Sequence, residues 1–150
     1  MAGHALEIWH QQGLVSLWRY VGANRSYQGW HLSANADGCR SLIALIDAFS
    51  DDAPALHRTV SLTAPSEALL RVPGPMSWRV ESAPKLRMSR STSPDDWFLS
   101  ESVDAVSFAL GATWRDKFRD AIDALSKGEG DFGIGPKDRE KWIHFWWWRQ

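Results

Sequence analysis

Five histidines, one cysteine, a few serines, two adjacent-carboxylate pairs and a glycine-rich run are the residues of this 150-residue chain suited to chemistry. Nucleophilic catalysis needs a base within hydrogen-bond reach of the nucleophile and a third group that orients the base. Ser33, Ser61 and Cys39 sit in no nucleophile elbow, and no GxSxG is present. His4, His10, His31, His57 and His144 form no HxH, HxxxH or HExxH pair, so no zinc-type ligand spacing exists. Cys39 falls in the first turn of an expected helix. The helix dipole lowers the pKa of an accessible thiol there, but a lone cysteine more often packs as a small buried hydrophobe. Asp51-Asp52 and Asp95-Asp96 occupy polar turn segments and read as solvated loop tips rather than a glycosidase acid pair. No catalytic residue, no metal ligand and no cofactor is assigned, and the binding residues are left open.

Gly128-Glu129-Gly130-Asp131-Phe132-Gly133-Ile134-Gly135 contains both a GxGxxG and an Asp-Phe-Gly. Phosphate binding needs such glycines at a strand-to-helix turn, or capping phosphates between two strands, where amide hydrogens converge on an anion. Here they follow a helix and lead through Pro136 toward a last strand. The two kinase motifs also overlap, with only 15 residues remaining, so neither kinase nor dinucleotide chemistry fits. The run is expected to be a flexible helix-to-strand connection, with a mobile lid over a pocket as the functional alternative. Together with the aromatic tail it looks like a family signature, but no activity attaches to it.

Residues 71–90 carry Arg71, Arg79, Lys85, Arg87 and Arg90 against only Glu81, and Asp95, Asp96, Glu101 and Asp104 follow. A basic strand pair bearing Trp78 suits single-stranded nucleic acid, but a net charge of −1 argues against a polyanion partner. Pairing between neighbouring strands of opposite charge explains the same residues. Asp116, Asp120 and Asp123 beside Arg115, Lys117 and Arg119 read as a solvated helix surface with local ion pairs.

These residues need a scaffold. The length suits one domain over residues 1–150, large enough to fold without disulfides or metal. The 44% apolar and 23% charged content matches a soluble globular protein. The single cysteine, the lack of a signal-like start and the lack of any membrane-length apolar run point to a cytoplasmic location. Asn24-Arg25-Ser26 is then an accidental sequon.

Two amphipathic helices are expected. One runs from Asp37, as N-cap, to Phe49 and stops at Ser50-Asp51-Asp52 and Pro54. The other runs from Thr113 to Lys127, with Thr113 and Asp116 as a capping box and Gly128 as a left-handed stop. Expected strands are a hairpin of Leu6–Trp9 with Leu14–Tyr20, then Tyr27–Leu32, Thr59–Thr63, Trp78–Val80, Leu86–Met88, Trp97–Leu99, Val103–Leu110 and Trp142–Trp148. Five of the seven prolines lie between Pro65 and Pro94, which suggests edge strands and loops there. The helices align at an offset of 76, with Ile46-Asp47-Ala48-Phe49 over Ile122-Asp123-Ala124-Leu125. That match fits a strand-helix-strand duplication, or merely two similar helices.

The fold class is therefore α+β: a largely antiparallel sheet with two amphipathic helices on one face. The last ten residues hold four of the ten tryptophans, and both faces of a strand there are apolar. That pattern predicts a central strand buried on both sides, with His144 as a neutral hydrogen-bonded core residue between Trp142 and Trp146. The tryptophan surplus and the missing catalytic constellation suggest a binding domain whose partner is another protein or a second copy, with no membrane partner. The alternative is a ligand-binding domain or small enzyme with an aromatic pocket between helices and sheet, lined by Trp30, Trp97 or Trp114.

Overall fold

A computed structural model describes residues 2–21, 28–49, 57–71 and 79–149, and side chains from residue 5 onward. The class is α+β, but the strands form two sheets rather than one. In chain order the elements are α1 (Ala2–Ile8), β1 (Val15–Val21), β2 (Trp30–Ala34), α2 (Ala36–Ala48), β3 (His57–Ser61), α3 (Glu67–Leu70), β4 (Arg79–Ser82), β5 (Lys85–Arg90), β6 (Trp97–Glu101), β7 (Val106–Leu110), α4 (Ala112–Ser126), β8 (Phe132–Ile134) and β9 (Ile143–Phe145). A 3-10 turn at Arg139–Lys141 precedes β9. The first sheet has the order β4-β1-β2-β9-β8 and the second β3-β5-β7-β6.

Each sheet is antiparallel except at one internal junction, where β2 pairs with β9 and β7 pairs with β5 in parallel. The two junctions correspond. β2 and β7 stand 76 positions apart, and each enters a long helix that starts two residues later. Each has an antiparallel hairpin partner before it (β1, β6), and each half then adds an antiparallel pair after the helix (β3 with β5, β8 with β9). The later pair of each half joins the sheet begun by the other half. The repeat seen at the helices is thus a repeat of the whole topology with strands exchanged, and β4 is an addition outside it.

One apolar cluster draws on both sheets and both long helices. Leu17, Leu32 and Phe145 come from the first sheet, Met88 and Phe108 from the second, and Leu45, Phe118 and Ile122 from the helices. The helices pack on each other, and α4 also touches β2, β7 and β9. Their starts differ from expectation. Asn35, not Asp37, caps α2 by accepting from the Gly38 amide, while Asp37 pairs with Arg40. Gly111 precedes α4 without a side-chain cap, so Thr113 and Asp116 form no capping box. Gly128 does take the left-handed conformation after α4 (φ 84). The expected stop of α2 at 50–54 lies outside the described residues, as do Asp51, Asp52, Trp78 and the Asn24 sequon.

The first expected hairpin is absent. Residues 2–8 are α1, whose Leu6 is fully buried, and the Trp9 Nε1–H after it donates to the Ser41 carbonyl at 2.8 Å. The apolar pattern there fits either element, and packing on α2 decides for helix. The middle third is not all edge: β4 is an edge strand, but β5 is internal, between β3 and β7. The basic β5 and the acidic β6 are separated by β7, so these two strands are not neighbours. On α4, Arg115 is buried and Arg119 pairs with Asp47 of α2 at 2.6 Å, so that face is a helix–helix contact rather than a wholly solvated surface.

The aromatic tail is interior where it is strand. Ile143 and Phe145 enter the main cluster, whereas His144 and Trp146 face the other way against Trp18, Tyr20, His31 and Leu69 of α3. The Trp146 amide extends the junction by donating to the Leu32 carbonyl at 3.0 Å. The strand stops there: Trp147 is 46% exposed, so the expected strand through Trp148 is too long.

The glycine run is no flexible connection, because Phe132–Ile134 is the edge strand β8 beside β9. Phe132 and Ile134 pack on the core, and Gly133 faces the opposite side. A β-carbon on Gly133 would lie 2.9 Å from His144 Nδ1 and 3.0 Å from the Trp142 ring, and one on Gly135 would lie 2.4 Å from Trp142 Cδ1. The glycines thus make a bare surface against which His144 and Trp142 pack.

Two substitutions test this packing. Phe145→Ala should cost about 3–5 kcal/mol, as for a buried phenylalanine. Gly133→Val should cost roughly 1–3 kcal/mol through overpacking against His144. Denaturant unfolding measures both, and a Gly133→Val protein as stable as the parent contradicts the bed of glycines.

Candidate functional site

Among the described residues, those singled out as chemically suited do not converge, two histidines apart. Cys39 is buried, its Sγ lies 3.6 Å from the Ala34 carbonyl, and burial pushes its pKa up to about 11, far from a reactive thiolate. Ser33 Oγ donates to the Trp146 carbonyl at 2.6 Å, and Asp96 accepts from Ser91. His10 and His57 are exposed. Among the described residues, no three His, Cys, Asp or Glu side chains gather as a metal site. Nor is any helix there long and apolar enough to cross a membrane.

Two histidines do meet. β2 and β9 place His31 directly beside His144, with rings stacked at 4.8 Å and 17°. Trp146 Nε1–H donates to His31 Nδ1 at 2.8 Å, and the Trp18 ring stacks at 5.8 Å from His31. His144 Nε2 donates to the Gln28 carbonyl at 2.8 Å. Burial lowers the pKa of His144, the bond to Gln28 opposes that, and the charge of Arg139 adds to the lowering. This stack is a buried, hydrogen-bonded interior layer.

The open, polar concavity lies elsewhere, between the two sheets. Arg19 follows Val15 and Leu17 on the inward side of β1, at the rim of the core. Its guanidinium lies 4.9 Å above the Trp30 ring. It bonds Glu81 of β4 at 3.2 Å and Glu101 of β6 at 2.6 Å, so the second contact ties one sheet to the other. Partial burial works against its charge, but the two carboxylates outweigh this and its pKa rises above the usual arginine value.

The cleft has two lobes that share Arg19, Trp30 and Glu101. One lobe, about 340 Å³, is closed by Gln28, Gly29, Glu140 and Lys141. The other, about 390 Å³, is closed by Glu81, Ala83, Pro84, Val103, Ala105 and Val106. The lobes use matching positions of the two halves: Gly29-Trp30 against Ala105-Val106, and Glu140-Lys141 against Ala83-Pro84. Arg19 and Glu101 are counterparts as well: Glu101 pairs with Val106, the first residue of β7, and the β1–β2 register continued by one residue beyond Trp18 and His31 sets Arg19 opposite Trp30, the first residue of β2. A residue that touches its own counterpart lies at the axis relating the halves, so the ion pair sits between the lobes. Gly29 shapes the first lobe; it has φ 94, and an added β-carbon would lie 2.6 Å from the Trp142 carbonyl oxygen.

Of the three tryptophans expected to line a pocket, Trp30 lines this cleft and Trp97 and Trp114 do not, and no residue of α2 or α4 lines it. Trp97 and Trp114 instead pack edge-on at 4.8 Å, with Trp97 Nε1–H donating to the Lys141 carbonyl. Sequence reasoning missed Arg19, Glu81, Glu101 and Glu140. A signal existed for Arg19 alone: it is a charged residue at an inward position of an alternating strand. No family model matches this chain, and no curated protein matches it either.

Two outcomes follow from these geometries. Unfolded histidine takes up a proton below pH about 6.5, and His144 resists protonation while folded, so stability should fall as pH drops below that value. Chemical denaturation at stepped pH measures this, and replacing His144 with Asn should flatten the trend. The Arg19 pair is partly exposed, so Arg19→Gln should change stability by no more than about 1 kcal/mol.

Proposed function

We propose that this protein is a small-ligand-binding domain whose ligand occupies the two-lobed cleft between the sheets. The observation that carries the reading is the Arg19–Glu101 pair, a weak and water-accessible contact placed where two cavities meet. An ion pair with side chains 35% and 48% exposed adds little stability, so its groups are free to exchange each other for a ligand at small cost. Each lobe has the volume of a small-molecule site. Binding rather than catalysis is the reading, because none of the described residues lining the cleft is set as a nucleophile with a base beside it.

Protein interaction, the first expectation from the tryptophan surplus, loses its main argument once Trp18, Trp30, Trp97 and Trp146 are buried within the chain. It keeps the exposed large hydrophobics, Ile8, Phe98 and Trp147 among them, the last beside a groove of Cys39, Leu125 and Trp148.

A thermal-shift screen of polar metabolites tests the cleft reading. A ligand at a hundred times its Kd adds about 2.7 kcal/mol, which for a domain of this size raises Tm by roughly 5–11 °C. The rise should fall by about half or more in Arg19→Gln at the same ligand concentration, the effect of a roughly tenfold weaker Kd. An undiminished rise in that variant places the ligand elsewhere, and no rise with any metabolite removes the reading.

A further inference from the structure

We propose that the cleft takes a zwitterionic α-amino acid with an apolar side chain; this rests on the small-ligand reading above. The argument starts from charge. The lobes present Arg19 and Lys141 as cations and Glu81, Glu101 and Glu140 as anions. An anionic ligand meets three carboxylates, and a simple cation competes with Arg19 for the same partners. A ligand carrying both charges close together avoids both conflicts.

The Arg19–Glu101 contact has the form of such an exchange. Arg19 Nη1 meets Glu101 Oε2 at 2.6 Å, and Arg19 keeps Glu81 through Nη2 at 3.2 Å. When the pair opens, the guanidinium offers a forked donor to an α-carboxylate, and Glu101 offers its oxygens to the α-ammonium. Both new contacts are charge-assisted hydrogen bonds, and no charge is left without a partner. Arg19 stays located during the exchange, because Trp30 lies beneath its guanidinium and Glu81 holds its other nitrogen.

The lobes then divide the remainder of the ligand. Ala83, Pro84, Ala105 and Val106 give one lobe an aliphatic part beside its Ser82, Ser102 and charged residues, whereas Gln28, Glu140 and Lys141 make the other mainly polar. An aliphatic or aromatic side chain belongs in the first. The same chemistry disfavours phosphorylated ligands, since among the described lining residues there is no helix N-terminus and carboxylates outnumber cations.

Isothermal titration of the whole protein with L-valine, L-leucine, L-isoleucine, L-methionine and L-phenylalanine is the test. 3-Methylbutylamine and 4-methylpentanoate serve as leucine without its carboxylate and without its amine. The expected result is saturable binding of at least one amino acid. Removing either charge from the ligand, or making Arg19→Gln or Glu101→Gln, should weaken it by about tenfold or more, the loss of one charge-assisted contact. Circular dichroism of the two variants establishes that they are folded. Failure of all five amino acids to bind overturns the proposal, and so does equal affinity for the amine or the acid alone. If another metabolite binds in an Arg19-dependent way while these do not, the cleft remains a ligand site and only the amino-acid assignment falls.

Discussion

The structure depends on β9 lying parallel to β2 with its two faces buried in different layers. Ile143 and Phe145 join the core shared with the second sheet, and His144 and Trp146 join the layer of Trp18, Tyr20 and His31. A strand apolar on both sides has no stable place at a sheet edge. β8 therefore has to cover its free side, and it can do so only with side chains that leave room for the rings of His144 and Trp142. The alternation of glycine with Phe132 and Ile134 answers that demand: carbon toward the core, nothing toward the rings. A run resembling a phosphate loop is thus a packing surface, and the glycines serve aromatic rings rather than an anion.

The cleft arises from the same exchange of strands. Two sheets that each borrow a strand pair from the other half must meet along an axis, and the apolar core ends where Arg19 and Glu101 face each other. Matching positions on the two sides differ, with Trp30 opposite in role to Val106 and Glu140-Lys141 to Ala83-Pro84. A topologically repeated framework therefore carries an asymmetric cavity, mainly polar at one end and partly aliphatic at the other.

Much of the framework was legible in the residues. Period and Gly128 located both long helices to within a residue or two, alternation marked β3 and β7, and the two-sided apolar tail identified an interior strand. The misses have physical reasons. Leu6, Ile8 and Trp9 are too few to tell a short helix from a strand, and docking on α2 settled the matter. Asn35 outcompeted Asp37 as N-cap because its side chain also accepts from the Leu14 amide at 2.9 Å, a contact made across 21 residues. The division into two sheets was hidden, since parallel pairing of β5 with β7 and β2 with β9 leaves no local trace. The candidate site was hidden for the same reason: Arg19, Glu81 and Glu101 converge only through tertiary structure.

Ser33 and Trp146, hydrogen-bonded across the β2–β9 junction, are separated by 113 residues. During synthesis β2 emerges long before its parallel neighbour exists, and the first sheet cannot close until residues 143–146 have left the ribosome. Contacts of such high order slow folding and leave a strand edge unpaired meanwhile. This fold is therefore complete only once β9 has been made, and until then its nascent form carries an open sheet edge that a chaperone can shield.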